Sequence, residues 1–248
     1  MRYFVKCRYN GTRHHGWQSQ KGTDKTIQGQ IEKTLSTFLR EEISIIGCGR
    51  TDAGVHASEY YFHFDGPVFD PSQIKYKSNS ILSNDIYIDE VYIVEGSRHT
   101  RFDARLRAYE YHLIYTPDPF RQETAFWQPQ LESYDVEMMK MAAQLLSEFD
   151  EFTTFCKTGS DEKSKICTIY KSELIFSETG IVYHVHANRF LRGMIRLIVG
   201  MILNVGKGQV DIEEVKKALK KQTRLTTDWS VPAKGLFLSK VEYPFELE

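Results

Sequence analysis

The stretch IYKSELIFSETGIVYHVHA, residues 169 to 187, decides the fold class. Its two arms, IYKSELIF and IVYHVHA, are β-branched and aromatic runs flanking Thr179-Gly180, so the stretch reads as a hairpin of antiparallel strands. Helical patterns surround it. Val136, Met139, Ala142 and Leu146 recur at helical spacing on one side; on the other, a helix is expected from about 190 to 204, followed by a charged helix in DIEEVKKALKKQ. RAYEYHLIY, residues 107 to 115, places Tyr109, Tyr111, Leu113 and Tyr115 on one strand face, and GLFLSKVEY near the end reads as a last strand. Between them the loop TPDPFRQETAFWQPQ holds three prolines.

The first half has a similar inventory in another order. RYFVKCRY, residues 2 to 9, alternates Tyr3, Val5, Cys7 and Tyr9 with mostly polar neighbours, the period of a half-buried strand, and Asn10-Gly11 ends it. Ile27, Ile31, Leu35 and Phe38 mark an amphipathic helix. ISIIGCG and EYYFHF read as strands, residues 71 to 82 as a helix, and DIYIDEVYIV as a strand. Antiparallel neighbours mixed with helices indicate an α+β fold. EGSRH, residues 95 to 99, is the expected seam between halves 1–100 and 101–248.

Composition narrows the function classes. Hydrophobic residues are 41% of the 248, charged residues 26%, and the formal net charge is -1. Disorder is excluded, and partners must be recognised by local patches rather than by overall charge. Cys7, Cys48, Cys156 and Cys167 form no C-x-x-C pair, and MRYFVKCRYNGT lacks the apolar region of a signal peptide, so a reducing cytoplasm is expected. No uncharged apolar run approaches 18 residues, so no membrane span is expected.

The chemistry concentrates in GCGRTDAGVH, residues 47 to 56. An apolar strand delivers Asp52 into a turn of small residues, where Gly54 lets a backbone approach a ligand closely. In extended chain Arg50 and Asp52 point to one side. For an isolated R-x-D, a turn in which the carboxylate caps backbone amides is the plainer reading. Other chemistries lack their residues: glycine stands where a D-x-D phosphotransferase needs its second acid, and no G-x-S-x-G occurs. His184 and His186 share a strand face without the carboxylate or cysteine spacing of a metal site, and His14-His15 is equally weak. A single ionised aspartate acting as nucleophile or base without a cofactor remains.

Cations form the second concentration. SRHTRFDARLR carries Arg98, Arg101, Arg105 and Arg107 and runs directly into Tyr109, a combination suited to phosphate contact and base stacking. KTGSDEKSK adds Lys157, Lys163 and Lys165. In NRFLRGMIR, Arg189, Arg192 and Arg196 lie three and four apart, expected on one helical face, and Arg196 sits within MIRLIVG, where an arginine should have a carboxylate partner. A solvated face is the reading for VKKALKKQTR.

The chain resembles the TruA family of tRNA pseudouridine synthases from end to end. GRTDAGVHA, residues 49 to 57, is supported in order by YNGTRHHGWQSQ, RFDARLRAYEY, PFRQETAFW, FTTFC, ANRFLRGMIRLIVG and PAKGLFLSKVEY. The resemblance implies isomerisation of uridine to pseudouridine in the anticodon arm of tRNA, at positions 38, 39 and 40, with no metal, nucleotide or other cofactor. It implies that Asp52 is the catalytic aspartate, Tyr109 the residue that stacks on the target base and Arg196 the partner of the aspartate. Arg50 would help displace the target nucleotide, and Leu236 would line the uracil pocket. Arg105, Arg107 and Arg192 are expected to contact the RNA. The implied fold has two similar α+β halves with mostly antiparallel sheets joined across a central RNA-binding cleft, helices on the outer faces, and the implied assembly is a homodimer. Asn10, Ser83 and Ala108 depart from the family pattern. Two other readings keep parts of this picture: the same reaction on another RNA region, or an RNA-binding protein with weak or no catalysis.

Overall fold

The computed structural model describes residues 1–159, 164–227 and 229–247; Lys163, one of the cations singled out above, lies outside them. The described residues form nine strands, five α-helices and short 3-10 turns, the α+β fold expected, with mostly antiparallel pairing. Two compact units make up the chain: Met1–Arg107 with Phe237–Glu248, and Ala108–Leu236. From sequence, a single seam is expected at 100/101. The return of Phe237–Glu248 to the first unit comes from pairing distant in sequence, which no local pattern records.

In the first unit, β1 (Arg2–Tyr9) is the middle strand, followed by α1 (Ile27–Leu39) and the short β2 (Ile46–Gly47). Then come β3 (His56–Asp65), α2 (Pro71–Ile81) and β4 (Ile86–Val94). β1 pairs antiparallel with both β3 and β4, and β2 pairs antiparallel with β3. The alternation in β1 predicts one buried face, yet Phe4 is also buried, because the rings of Tyr243 and Phe245 cover it at 5.5 and 5.9 Å. α1 buries Ile27, Ile31, Leu35 and Leu39, capped by the Thr26 hydroxyl, which accepts from Gly29 N. β2 is only two residues long because α1 side chains take the backbone of Ile45: Glu32 Oε1 accepts from its N–H at 3.0 Å and Gln28 Nε2 donates to its carbonyl at 3.2 Å.

The second unit contains most of β5 (Leu106–Ile114), then β6 (Phe126–Trp127), α3 (Val136–Leu145), β7 (Ile169–Phe176) and β8 (Gly180–Ala187). α4 (Met194–Gly206), α5 (Ile212–Lys221) and β9 (Leu236–Glu242) complete the chain. β7 and β8 form the expected antiparallel hairpin, with Leu174 opposite Tyr183, and Ser177 N donating to Gly180 O across the turn. β8 neighbours β5, and β6 pairs parallel with β5. β9 pairs parallel with β3 through His56–Phe237 and Ala57–Leu238, which belong to the first unit.

α4 corrects one expectation. It begins at Met194, behind Gly193 in left-handed conformation (φ 70°), so Arg189 and Arg192 precede the helix and share no helical face with Arg196. Every residue of α4 except Arg196 is buried, which matches a helix apolar all round.

His63 of β3 is buried with its Nδ1 2.8 Å from the Thr100 hydroxyl, which donates to Ile46 O and so ties β2 to the 98–105 segment. Burial first, then the neighbouring His99 and Arg2 charges, lower its pKa from 6.5 to about 4. The folded protein therefore holds His63 neutral while the unfolded chain protonates it near pH 6.5, and stability falls as the pH drops from 6.5 towards 4. Urea midpoints measured across that window should decline, and His63→Gln should flatten the decline; an identical slope in the variant would contradict this.

Candidate active site

The loop that carries Asp52 runs from Cys48 to Val55, between β2 and β3, and its backbone is held at nearly every residue. Arg107 donates to Cys48 O from Nε at 3.2 Å and Nη2 at 2.7 Å. The Tyr60 phenol donates to Gly49 O. Trp17 N donates to Thr51 O at 3.1 Å, and the Tyr9 and Thr51 hydroxyls are 2.8 Å apart. Val55 N donates to Asp52 O at 3.1 Å and closes a turn that needs Gly54 at φ 79°. Asp52 is half-buried and Arg50 is exposed.

The segment from Asn10 to Trp17 lies against this loop. Gly54 N donates to His14 O at 3.3 Å, and Gly11 N donates to His56 Nδ1 at 3.1 Å. A Cβ on Gly16 would stand 2.6 Å from Thr51 O, and Gly16 has φ 84°, so this closeness requires glycine. The same segment is anchored behind by α1, whose first amides would otherwise lack partners: Ile27 N donates to Gly16 O and Gln28 N to Trp17 O. The Trp17 ring stacks on Tyr60 at 4.0 Å. The departure at Asn10 is locally harmless, since its Oδ1 accepts from Thr12 N at 3.0 Å, a bond an aspartate would make equally. Burial pushes the Cys48 thiol up to about 11 and the Tyr60 phenol well above its ordinary value, so neither is ionised beside the loop at neutral pH.

Asp52, Arg50, Arg105 and Arg107 belong to the first unit; Tyr109, Arg192, Arg196 and Leu236 belong to the second. Arg105 is exposed, with its backbone N–H on Glu242 O at 2.8 Å. In the second unit Tyr109 is nearly buried on β5 and meets Phe190 edge to face, with centroids 5.2 Å apart at 85°. Arg196 lies in the first turn of α4, half-buried; its Nε donates to Val231 O at 2.7 Å while its own carbonyl accepts from Val231 N. Pro232 O accepts from the Tyr111 phenol at 2.7 Å, so the Val231-Pro232 segment is tied to both α4 and β5. Leu236 is buried at the start of β9. Arg192 is exposed, and its carbonyl accepts from Lys157 N at 3.0 Å.

Phe190, Val231 and the two clasping aromatics, Trp17 and Tyr60, were not singled out from the sequence. Phe190 could have been, as the aromatic of NRFLRG; Val231 acts through its backbone, and Trp17 and Tyr60 through contacts distant in sequence, none of which leaves a local signature. His184 Nδ1 lies 3.7 Å from Glu110 Oε1. Among the described residues no group of three or more His, Cys, Asp or Glu is placed to hold a metal ion, and no helix is long and apolar enough to cross a membrane.

A family model described as tRNA pseudouridine synthase matches residues 142–244. The relatives named tRNA pseudouridine synthase A include one from Azobacteroides pseudotrichonymphae, 38% identical over 98% of this chain and 97% of its own length. One from Bacteroides thetaiotaomicron is 40% identical over 99% and 92%, and one from Staphylococcus aureus strain JH1 is 35% identical over 97% and 90%. The chain belongs to the tRNA pseudouridine synthase A family. Among solved structures, the likeness to a CRISPR endoribonuclease Cse3 bound to RNA has a TM-score of 0.21 at 9% identity, over 83% of this chain and 97% of that one, and carries no argument.

For a tRNA pseudouridine synthase, the clasped loop yields a direct test. Gly16→Ala puts a methyl against Thr51 O and a side chain at a strained φ, so it should displace the Asp52 turn. Pseudouridine formation should fall by about tenfold or more, because small misplacements of a reacting group are costly. Near-wild-type turnover in a folded Gly16→Ala protein would show that the close approach does not matter.

Proposed function

We propose that the protein isomerises uridine to pseudouridine in tRNA, with Asp52 as the acting carboxylate. The observation that carries the reading is the match of nearly the whole chain to relatives of that name. The reaction breaks the bond between C1′ and N1 of uracil, forms one between C1′ and C5, removes the C5 proton and leaves a proton on N1. Atoms and oxidation state balance within the substrate, so the demand on the protein is to expose the base, act once with a carboxylate and retain the detached uracil.

A stem uridine must be flipped out at a cost of about a few kcal/mol. Stacking on Tyr109 offsets this, since base-aromatic stacking contributes about 1–3 kcal/mol. Tyr109 suits the role because its strand and a T-shaped contact with Phe190 hold its ring. We assign Arg196 as the cationic partner of the Asp52 carboxylate; its Nε bond to Val231 O orients the guanidinium. Leu236 is the apolar wall of the uracil pocket, which keeps water from the detached base. Arg50, Arg105 and Arg192, all exposed, are assigned to the RNA.

The proposed target is the anticodon arm, at positions 38 to 40, and the proposed assembly is a cytoplasmic homodimer. A chain of net charge -1 has no general attraction for RNA, so two copies would bring more cationic segments to one tRNA. Pseudouridine mapping of cellular tRNA with and without the gene should show loss at 38 to 40; loss confined to another arm would contradict the target. Sedimentation should give twice the chain mass. Arg105→Ala and Arg192→Ala should each lower tRNA affinity and reduce the slope of log affinity against log salt by about 1. Unchanged slopes would remove these arginines from the interface.

A further inference from the structure

We infer that Arg107 is a positioning residue for Asp52, acting through the backbone of the loop rather than by touching RNA. The inference rests on the role proposed for Asp52. Its basis is how the guanidinium is used. Nε and Nη2 both donate to Cys48 O, at 3.2 and 2.7 Å, and Nη2 also donates to Arg101 O at 2.8 Å. Nη1 reaches Ala104 O at 3.4 Å. One half-buried side chain therefore joins two separate segments, the Asp52 loop and the 101–104 turn, through three carbonyls.

This pattern fits a brace better than a phosphate contact. Cys48 is fully buried, and its carbonyl receives two charge-assisted bonds, the strong kind in a protein interior. Arg105, two residues earlier on the same chain, is exposed. Only a planar fork with five donors bridges carbonyls in this way; an ammonium on a flexible stem can satisfy one or two of them at a time. Other clasps on the loop come from His14 and from Tyr60, Trp17 and Tyr9, which pack together in the core, Trp17 stacked on Tyr60 and Tyr9 tilted against both. Arg107 adds a link that the aromatics do not supply, from Cys48 O, four residues before Asp52, to the 101–104 turn.

The test uses the full-length protein with Arg107→Ala and Arg107→Lys. Three quantities are read: amide hydrogen exchange of residues 48–54 without RNA, tRNA affinity, and the single-turnover rate of pseudouridine formation at saturating enzyme. Arg107→Ala should exchange faster in 48–54, bind tRNA close to wild type, and react on the order of 10²-fold more slowly, the cost of a misplaced group. Arg107→Lys should recover part of the rate, and it stands in for the alanine variant if that variant does not fold. The inference is overturned if exchange in the loop is unchanged, or if tRNA affinity falls while the saturated rate is kept. Absence of pseudouridine formation by the wild type would instead undo the functional reading, and the exchange result would still judge the brace.

Discussion

Asp52 occupies its place because the backbone on both sides of it is already committed. The carbonyls of Cys48, Gly49 and Thr51 accept from Arg107, Tyr60 and Trp17, and the amides of Gly54 and Val55 donate to His14 and to Asp52 itself. A loop of small residues would otherwise sample many conformations, and ordering it costs about 1–2 kcal/mol per residue. The core meets that cost. Tyr60 is fully buried in β3, Trp17 stacks on it, and the first turn of α1 fastens the Gly16-Trp17 carbonyls. A carboxylate that reacts from one position needs this kind of foundation more than it needs many polar neighbours.

The second unit solves a related problem with different means. Tyr109 takes its direction from β5, and α4 enters the core as a helix buried on all sides but one, leaving Arg196 in its first turn. Reciprocal bonds between Arg196 and Val231, and the Tyr111 phenol on Pro232, fix the chain that leads to Leu236. The residues proposed for the site in both units thus depend on backbone bonds to segments outside it. Such segments are where a substitution far from the substrate would act.

The sequence revealed the parts governed by local periodicity. The α1 stripe follows from side-chain spacing and the β7–β8 hairpin from β-branched runs flanking Thr179-Gly180, and the helix at Pro71–Ile81 lies where it is expected. Long-range covering was not legible: Phe4 looks outward by alternation until Tyr243 and Phe245 arrive from the other end of the chain. Gly193 delays α4 by its left-handed backbone, so three arginines that share a helical period do not share a helix. Asp52, Tyr109 and Arg196 stood out through a family motif. The donors of Arg107 did not, because a guanidinium bound to carbonyls and one free for phosphate have the same letter.

The most direct measurement of the central claim, that the Asp52 carboxylate performs the isomerisation, follows the hydrogen that the reaction must discard. Transfer of C1′ to C5 replaces the hydrogen on that carbon, so a tRNA labelled with tritium at uracil C5 loses its label to water only as pseudouridine forms. Wild-type protein should release the label, and Asp52→Asn, which keeps the shape of the side chain and removes its charge, should bind the same tRNA and release none. Release by a folded Asp52→Asn protein at a rate near wild type would contradict the claim and move the chemistry to another residue.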